Sequence, residues 1–128
     1  MSAELPPEAQ EKLQKLQELQ EQLSQITMQK QQSEEQLREA ERALEALDEA
    51  DEDAGVYRTA GGVMVEASIE ETVEDLEDEK QTLEVRVDSL EGKEEKTQSQ
   101  FEQLREEVQQ MMGGMGGGLG GGAGGPAQ

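Results

Sequence analysis

The chain has 128 residues, of which 33% are charged and 32% hydrophobic, with one Phe (Phe101), one Tyr (Tyr57) and no Trp. Without large aromatics a compact globular core is excluded, because so little apolar area would not offset the entropy of ordering the chain. The formal net charge of −20 excludes nucleic acid and anionic membrane as partners, and the lack of Cys excludes disulfides and thiolate metal sites.

Residues 1–7 form a short N-terminal extension without the basic start and apolar run of a signal peptide. Pro6 and Pro7 then stand where a helix can begin. Ala9, Leu16, Leu23, Leu37 and Leu44 recur at seven-residue spacing or its multiples, and Leu5, Leu19, Ile26, Ala40 and Leu47 follow a parallel series. This is a coiled-coil seam with Lys12, Lys30 and Ser33 as polar interruptions, predicting a first helix over 8–53.

Residues 54–67 break the pattern. Val56–Ala60 and Val63–Ala67 are β-prone runs separated by Gly61–Gly62, a pair suited to a two-residue hairpin turn. That turn puts Val56, Arg58, Ala60, Val63, Val65 and Ala67 on one face, and Tyr57, Thr59, Met64 and Glu66 on the other. An isolated hairpin is marginal and leaves both edges unpaired. Val56, Tyr57, Val63, Met64 and Val65 are therefore the expected oligomerisation residues.

A second helix is predicted over 68–112. Ser68 and Glu71 make a capping box at its start. Ile69, Val73, Leu76, Leu83, Val87, Leu90, Phe101, Leu104, Val108 and Met111 hold one heptad register, with Lys80, Glu94 and Thr97 as polar members. Gly92 falls on the outward face. Two helices of similar length with a short connector should lie antiparallel. The fold class is thus mainly α: a long antiparallel two-helix coiled coil joined by one β-hairpin that is expected to pair with hairpins of other chains. Residues 113–128, with ten Gly, read as a flexible Gly/Met tail.

Two registers satisfy the heptads. One sets Lys30 against Thr97 and Ser33 against Glu94, clustering the polar layers. The other faces Ile26 with Glu94. The first is expected, since burying an uncompensated charge is costly.

No catalytic constellation emerges. With neither His nor Cys, the usual nucleophile–base pairs cannot be assembled, so no enzyme is expected. The acidic run Asp48, Glu49, Asp51, Glu52, Asp53 lacks the ligand spacing of a calcium loop, and no metal or cofactor is expected. The charge distribution is more informative. Residues 33–53 carry ten acids and two bases, and residues 66–92 eleven acids and two bases. Residues 8–32 carry four acids and three bases, and residues 93–112 five acids and three bases. Antiparallel helices bring the two near-neutral, Gln-rich segments to the end away from the hairpin. Leu5, Leu13, Leu16, Leu104, Val108, Met111, Met112 and Met115 gather there. They either form an apolar gripping surface, for which flexible Met is suited, or simply cap a fraying seam.

At this point the chain resembles the beta-type prefoldin family of archaea. The resemblance rests on MQKQQ, on the single hairpin VYRTAGGVMVEAS and on the return helix segment LEVRVDSLEGKEEK. It implies a hetero-hexamer of two alpha and four beta subunits, with hairpins joined into β-barrels and coiled coils hanging as tentacles. It also implies client-binding at the tips, a holdase action on non-native proteins without ATP, and delivery to a group II chaperonin in the cytoplasm. The strong acidity and the Gly/Met tail depart from the family pattern; the acidity suits a salt-rich cytoplasm and points to a halophile. The rival reading is a structural coiled-coil scaffold or spacer.

Overall fold

The computed structural model describes residues 6–115. The order of elements is α1 (Pro7–Glu49), β1 (Val56–Ala60), β2 (Val63–Ala67) and α2 (Ile69–Met115). The chain is thus two long helices, of 43 and 47 residues, around one antiparallel hairpin.

It divides into two units. The terminal unit joins the start of α1, through Thr27, to α2 from Gly92 onward; the hairpin unit is Met28–Glu91. In the terminal unit the buried residues are Ala9, Leu19, Thr97 and Val108. In the hairpin unit they are Ser33, Ala40, Thr72, Leu83, Val87 and Leu90. All but Thr72 lie on the heptad series, and no large side chain is fully buried. Each unit is therefore held by a narrow apolar seam, as coiled-coil packing requires.

The register differs from the expected one. In the terminal unit the Thr27 hydroxyl donates to Glu94 Oε2 at 2.8 Å, and Lys12 Nζ donates to Glu107 Oε1 at 2.7 Å. Both contacts belong to the alignment that faces Ile26 with Glu94. The charge that argued against this alignment is compensated, because Glu94 is only half-buried and receives the hydroxyl of Thr27. Among the described residues no buried side-chain polar atom lacks a partner.

The expected end of the first helix at Asp53 is also corrected. α1 stops at Glu49, and the chain turns with backbone bonds from Ala50 N to Leu47 O (3.4 Å) and from Ala54 N to Asp51 O (3.0 Å). Asp48, Glu49, Asp51, Glu52 and Asp53 crowd a helix C-terminus, where the backbone dipole is negative, and no basic residue occupies the last turn. Continuing the helix would stack more like charge on that end. α2 runs three residues beyond the expected boundary at 112, to Met115. The amides of 113–115 reach back to carbonyls of 109–111, already held in helical geometry by Gln and Met. The remaining tail lies outside the described residues.

At the start of α2, Ser68 Oγ accepts the Glu71 N–H at 3.0 Å, and Thr72 Oγ1 donates to the Ser68 carbonyl at 2.8 Å. This cap satisfies an otherwise unpaired first-turn amide and fixes where the strand yields to the helix. In the hairpin, Val56 pairs with Ala67, Tyr57 with Glu66, Arg58 with Val65, Thr59 with Met64, and Ala60 with Val63. Gly61 and Gly62 both have positive φ, 56° and 85°. A two-residue turn of this hand matches the twist of the strands and suits Gly at both positions.

Candidate functional site

Two surfaces correspond to the sequence expectations, one in each unit. The hairpin surface belongs to the hairpin unit. Its register divides the residues into the two faces read from the sequence. Tyr57 is 57% exposed, Val63 60%, Met64 70% and Val65 50%, while Val56 is half-buried at the foot of β1. Apolar groups lie open on both faces, and the sheet has only two strands, so each strand has one unpaired edge. Such an arrangement invites strand addition from another chain.

Two contacts position this hairpin, and the sequence reading missed both. Arg58 Nη1 donates to Asp75 Oδ2 at 2.6 Å, tying β1 to the second turn of α2. Arg58 is the one positive side chain between Arg42 and Lys80, a stretch holding fourteen carboxylates. That isolation was the available signal, but it could not say which carboxylate is chosen. The second contact is at Gly55. A β-carbon there would come within 3.1 Å of Tyr57 Cε2 and 3.2 Å of its hydroxyl oxygen, so the absence of a side chain gives the ring its place.

The tip surface belongs to the terminal unit. Leu13, Leu16, Leu104 and Met111 are half-buried and Met112 is 42% exposed. Val108 is 4% exposed, so its side chain is taken up by the seam and is not presented at the surface. Leu5 lies outside the described residues, and Met115 is the last residue of α2. Lys12 and Glu107 bridge the two helix segments beside Leu13 and Val108. The Lys12 ammonium is raised above its usual range, chiefly by the hydrogen bond it donates to Glu107, with desolvation opposing.

Grooves along this unit are open. One of about 520 Å³ runs by Leu23, Thr27, Glu94, Glu95, Gln98, Ser99 and Glu102. Another of about 420 Å³ runs by Lys15, Leu19, Gln100, Gln103, Leu104 and Glu107. The first sets one seam leucine and the second two among amides and carboxylates, without the enclosure that would hold a small molecule. Two further apolar side chains, Met28 and Val85, are exposed on the helices at 61% and 63%. Single exposed apolar residues are common on protein surfaces. Among the described residues no helix is long and apolar enough to cross a membrane.

Known proteins resemble the chain over most of its length. The family profile described as "Prefoldin subunit" matches residues 10–115. The prefoldin subunit beta of Methanococcoides burtonii is 39% identical over 113 residues, covering 88% of this chain and 97% of that protein. The corresponding subunit of Methanosarcina barkeri is 40% identical over 62 residues, so that match spans 48% of this chain and about half of the relative, 53%. Among solved structures, the prefoldin beta subunit from Thermococcus strain KS-1 superposes with a TM-score of 0.76 at 33% identity, over 85% of this chain and 96% of that one. The long helices, the single hairpin with its Gly–Gly turn and these matches have one consistent explanation: the chain belongs to the prefoldin family, with archaeal beta-type subunits as its relatives.

Proposed function

We propose that the chain is a subunit of an ATP-independent chaperone that holds non-native proteins at its coiled-coil tip and passes them to a group II chaperonin in the cytoplasm. It assembles with alpha-type subunits and further copies of itself, two alpha and four beta. The observation that carries the reading is the hairpin: two strands with unpaired edges and Tyr57, Val63, Met64 and Val65 at least half exposed, on a chain whose family is that of a multisubunit chaperone. Leaving such a surface bare is unfavourable, and burial against other hairpins removes it from water.

The role assigned to the tip follows from what it offers. Leu13, Leu16, Leu104, Met111 and Met112 present partly exposed apolar groups among neutral Gln side chains, with Leu5 and Met115 at the chain positions beyond. Flexible Met and Leu can adapt to unlike sequences. No single tip forms an enclosed pocket, so grip comes from several tips acting on one client, each weak and jointly strong. Such a mechanism requires no catalytic group and no cofactor.

The test uses assembled complexes containing either the full chain or one lacking residues 1–16 and 104–128. The full complex should suppress aggregation of a chemically unfolded model protein, and the truncated one should lose most of that effect. Equal protection by both, at matched assembly, sinks the tip assignment. A discrete complex that protects no unrelated protein at all would favour a scaffold or spacer instead.

A further inference from the structure

A two-stranded hairpin can lean either way on its stalk, and here both of its faces carry exposed apolar residues. Val63 and Val65 lie on one face, Tyr57 and Met64 on the other. A neighbouring hairpin could therefore meet the wrong face unless something holds the lean. Side-chain packing does little of this, because only the foot residues Val56 and Ala67 are even half-buried. The contact that reaches from the strands to the helix is the ion pair between Arg58 and Asp75. Arg58 stands opposite Val65 in the register, on the Val63/Val65 face, so a side chain reaching from it to α2 turns that face toward the helix.

We propose that the Arg58–Asp75 pair is a positioning strut: it sets the lean of the hairpin on α2 and so selects the Tyr57/Met64 face as the outward one for the hairpin of a neighbouring subunit. The second half of this statement rests on the assembly reading above; the first half does not. Neither Arg58 nor Asp75 need touch the neighbour. Their choice of one another is a matter of reach, since Arg58 sits in a field of fourteen carboxylates and lies 2.6 Å from the Asp75 oxygen. A general role in softening acidic repulsion is the competing account. Exchanging the two residues separates them, because exchange keeps the net charge and restores only a specific pair.

The experiment compares the parent chain with Arg58→Asp, Asp75→Arg and the exchanged double variant. The chain contains no Cys, so Thr59→Cys and Glu79→Cys can carry a pair of spin labels without background. Electron–electron distance measurements on the isolated chain should give a narrow distribution in the parent, a broad one in each single variant, and a narrow one again in the exchange. Assembly with the alpha-type subunit, followed by sedimentation velocity, should weaken by about five-fold per subunit in the single variants and recover in the exchange. Far-UV circular dichroism should be unchanged throughout.

Distributions of equal width in all four chains overturn the strut. Broad single variants that the exchange does not narrow overturn specific pairing. Broadening with undiminished assembly overturns the link to the outward face. A parent chain that never assembles with the alpha-type subunit overturns the assembly reading and the second half of the proposal with it, while the distances still decide the first half.

Discussion

The hydroxyl of Thr27 donates to a carboxylate oxygen of Glu94 at 2.8 Å, and this bond selects one of two helix alignments that the heptad pattern permits equally. Lys12 and Glu107, 2.7 Å apart, keep the same alignment fifteen residues earlier on α1. Replacing Thr27 by Val keeps the shape and removes the donor to a half-buried carboxylate. The expected loss is about 1 kcal/mol of unfolding free energy, measured by denaturant titration followed by circular dichroism. Zero-length carbodiimide coupling should join Lys12 to Glu107 in peptide maps. Coupling of Lys12 to no residue of α2, or Thr27→Val unchanged in stability, would count against this register.

Lys12 should give the terminal unit an alkaline limit. Its folded-state value lies above the ordinary 10.5, through the hydrogen bond it donates to Glu107. A raised value means the contribution is complete below 10.5 and is lost as pH rises through the folded-state value. Melting temperatures of the parent should therefore fall toward those of Lys12→Met on the alkaline side. A constant gap between the two curves up to strongly alkaline pH would refute this.

Glu35 carries the opposite sign. The hydrogen bond from Arg38 holds its carboxyl below the ordinary 4.5. Its contribution is present above that value and disappears as pH falls through the lowered one. Parent and Arg38→Gln should differ at neutral pH and converge in acid, even though protonating the many other carboxylates relieves repulsion in both. The pair is exposed, so the neutral-pH difference should be small.

Gly92 offers a stabilising substitution. It is exposed in mid-helix, and a β-carbon built on it meets nothing within 4 Å. Gly92→Ala should raise stability by about 1 kcal/mol, because Ala loses less backbone entropy in a helix. An unchanged or lower denaturation midpoint would mean that this turn is not regular helix.

Salt should stabilise the chain. Residues 33–53 and 66–92 together hold twenty-one acids against four bases, and raising ionic strength shortens the range of their repulsion from about 10 Å at 0.1 M to about 3 Å at 1 M. Hydrogen exchange should slow more in the hairpin unit than in the terminal unit as salt is added. Equal slowing in both would remove acidic repulsion as the cause.

Much of this architecture is determined by the sequence alone. Heptad spacing demands a seam, because only one stripe of each helix is apolar; Gly61–Gly62 demands a tight turn, because both positions take positive φ. Ser68 marks the start of α2 through its own side-chain oxygen. These are local rules, and they act within a few residues. Which residues of α1 face which of α2 is not local. Sliding one helix by a heptad leaves the same apolar stripe in contact, so the choice falls to single polar pairs such as Thr27–Glu94, whose reach depends on how deeply Glu94 is buried. The same holds for Arg58, which composition surrounds with acids and only the tertiary structure assigns to Asp75. Val108, which the sequence places both on the heptad series and among the tip residues, is buried in the seam. Periodicity tells a chain that it must pair; side-chain reach and burial tell it where.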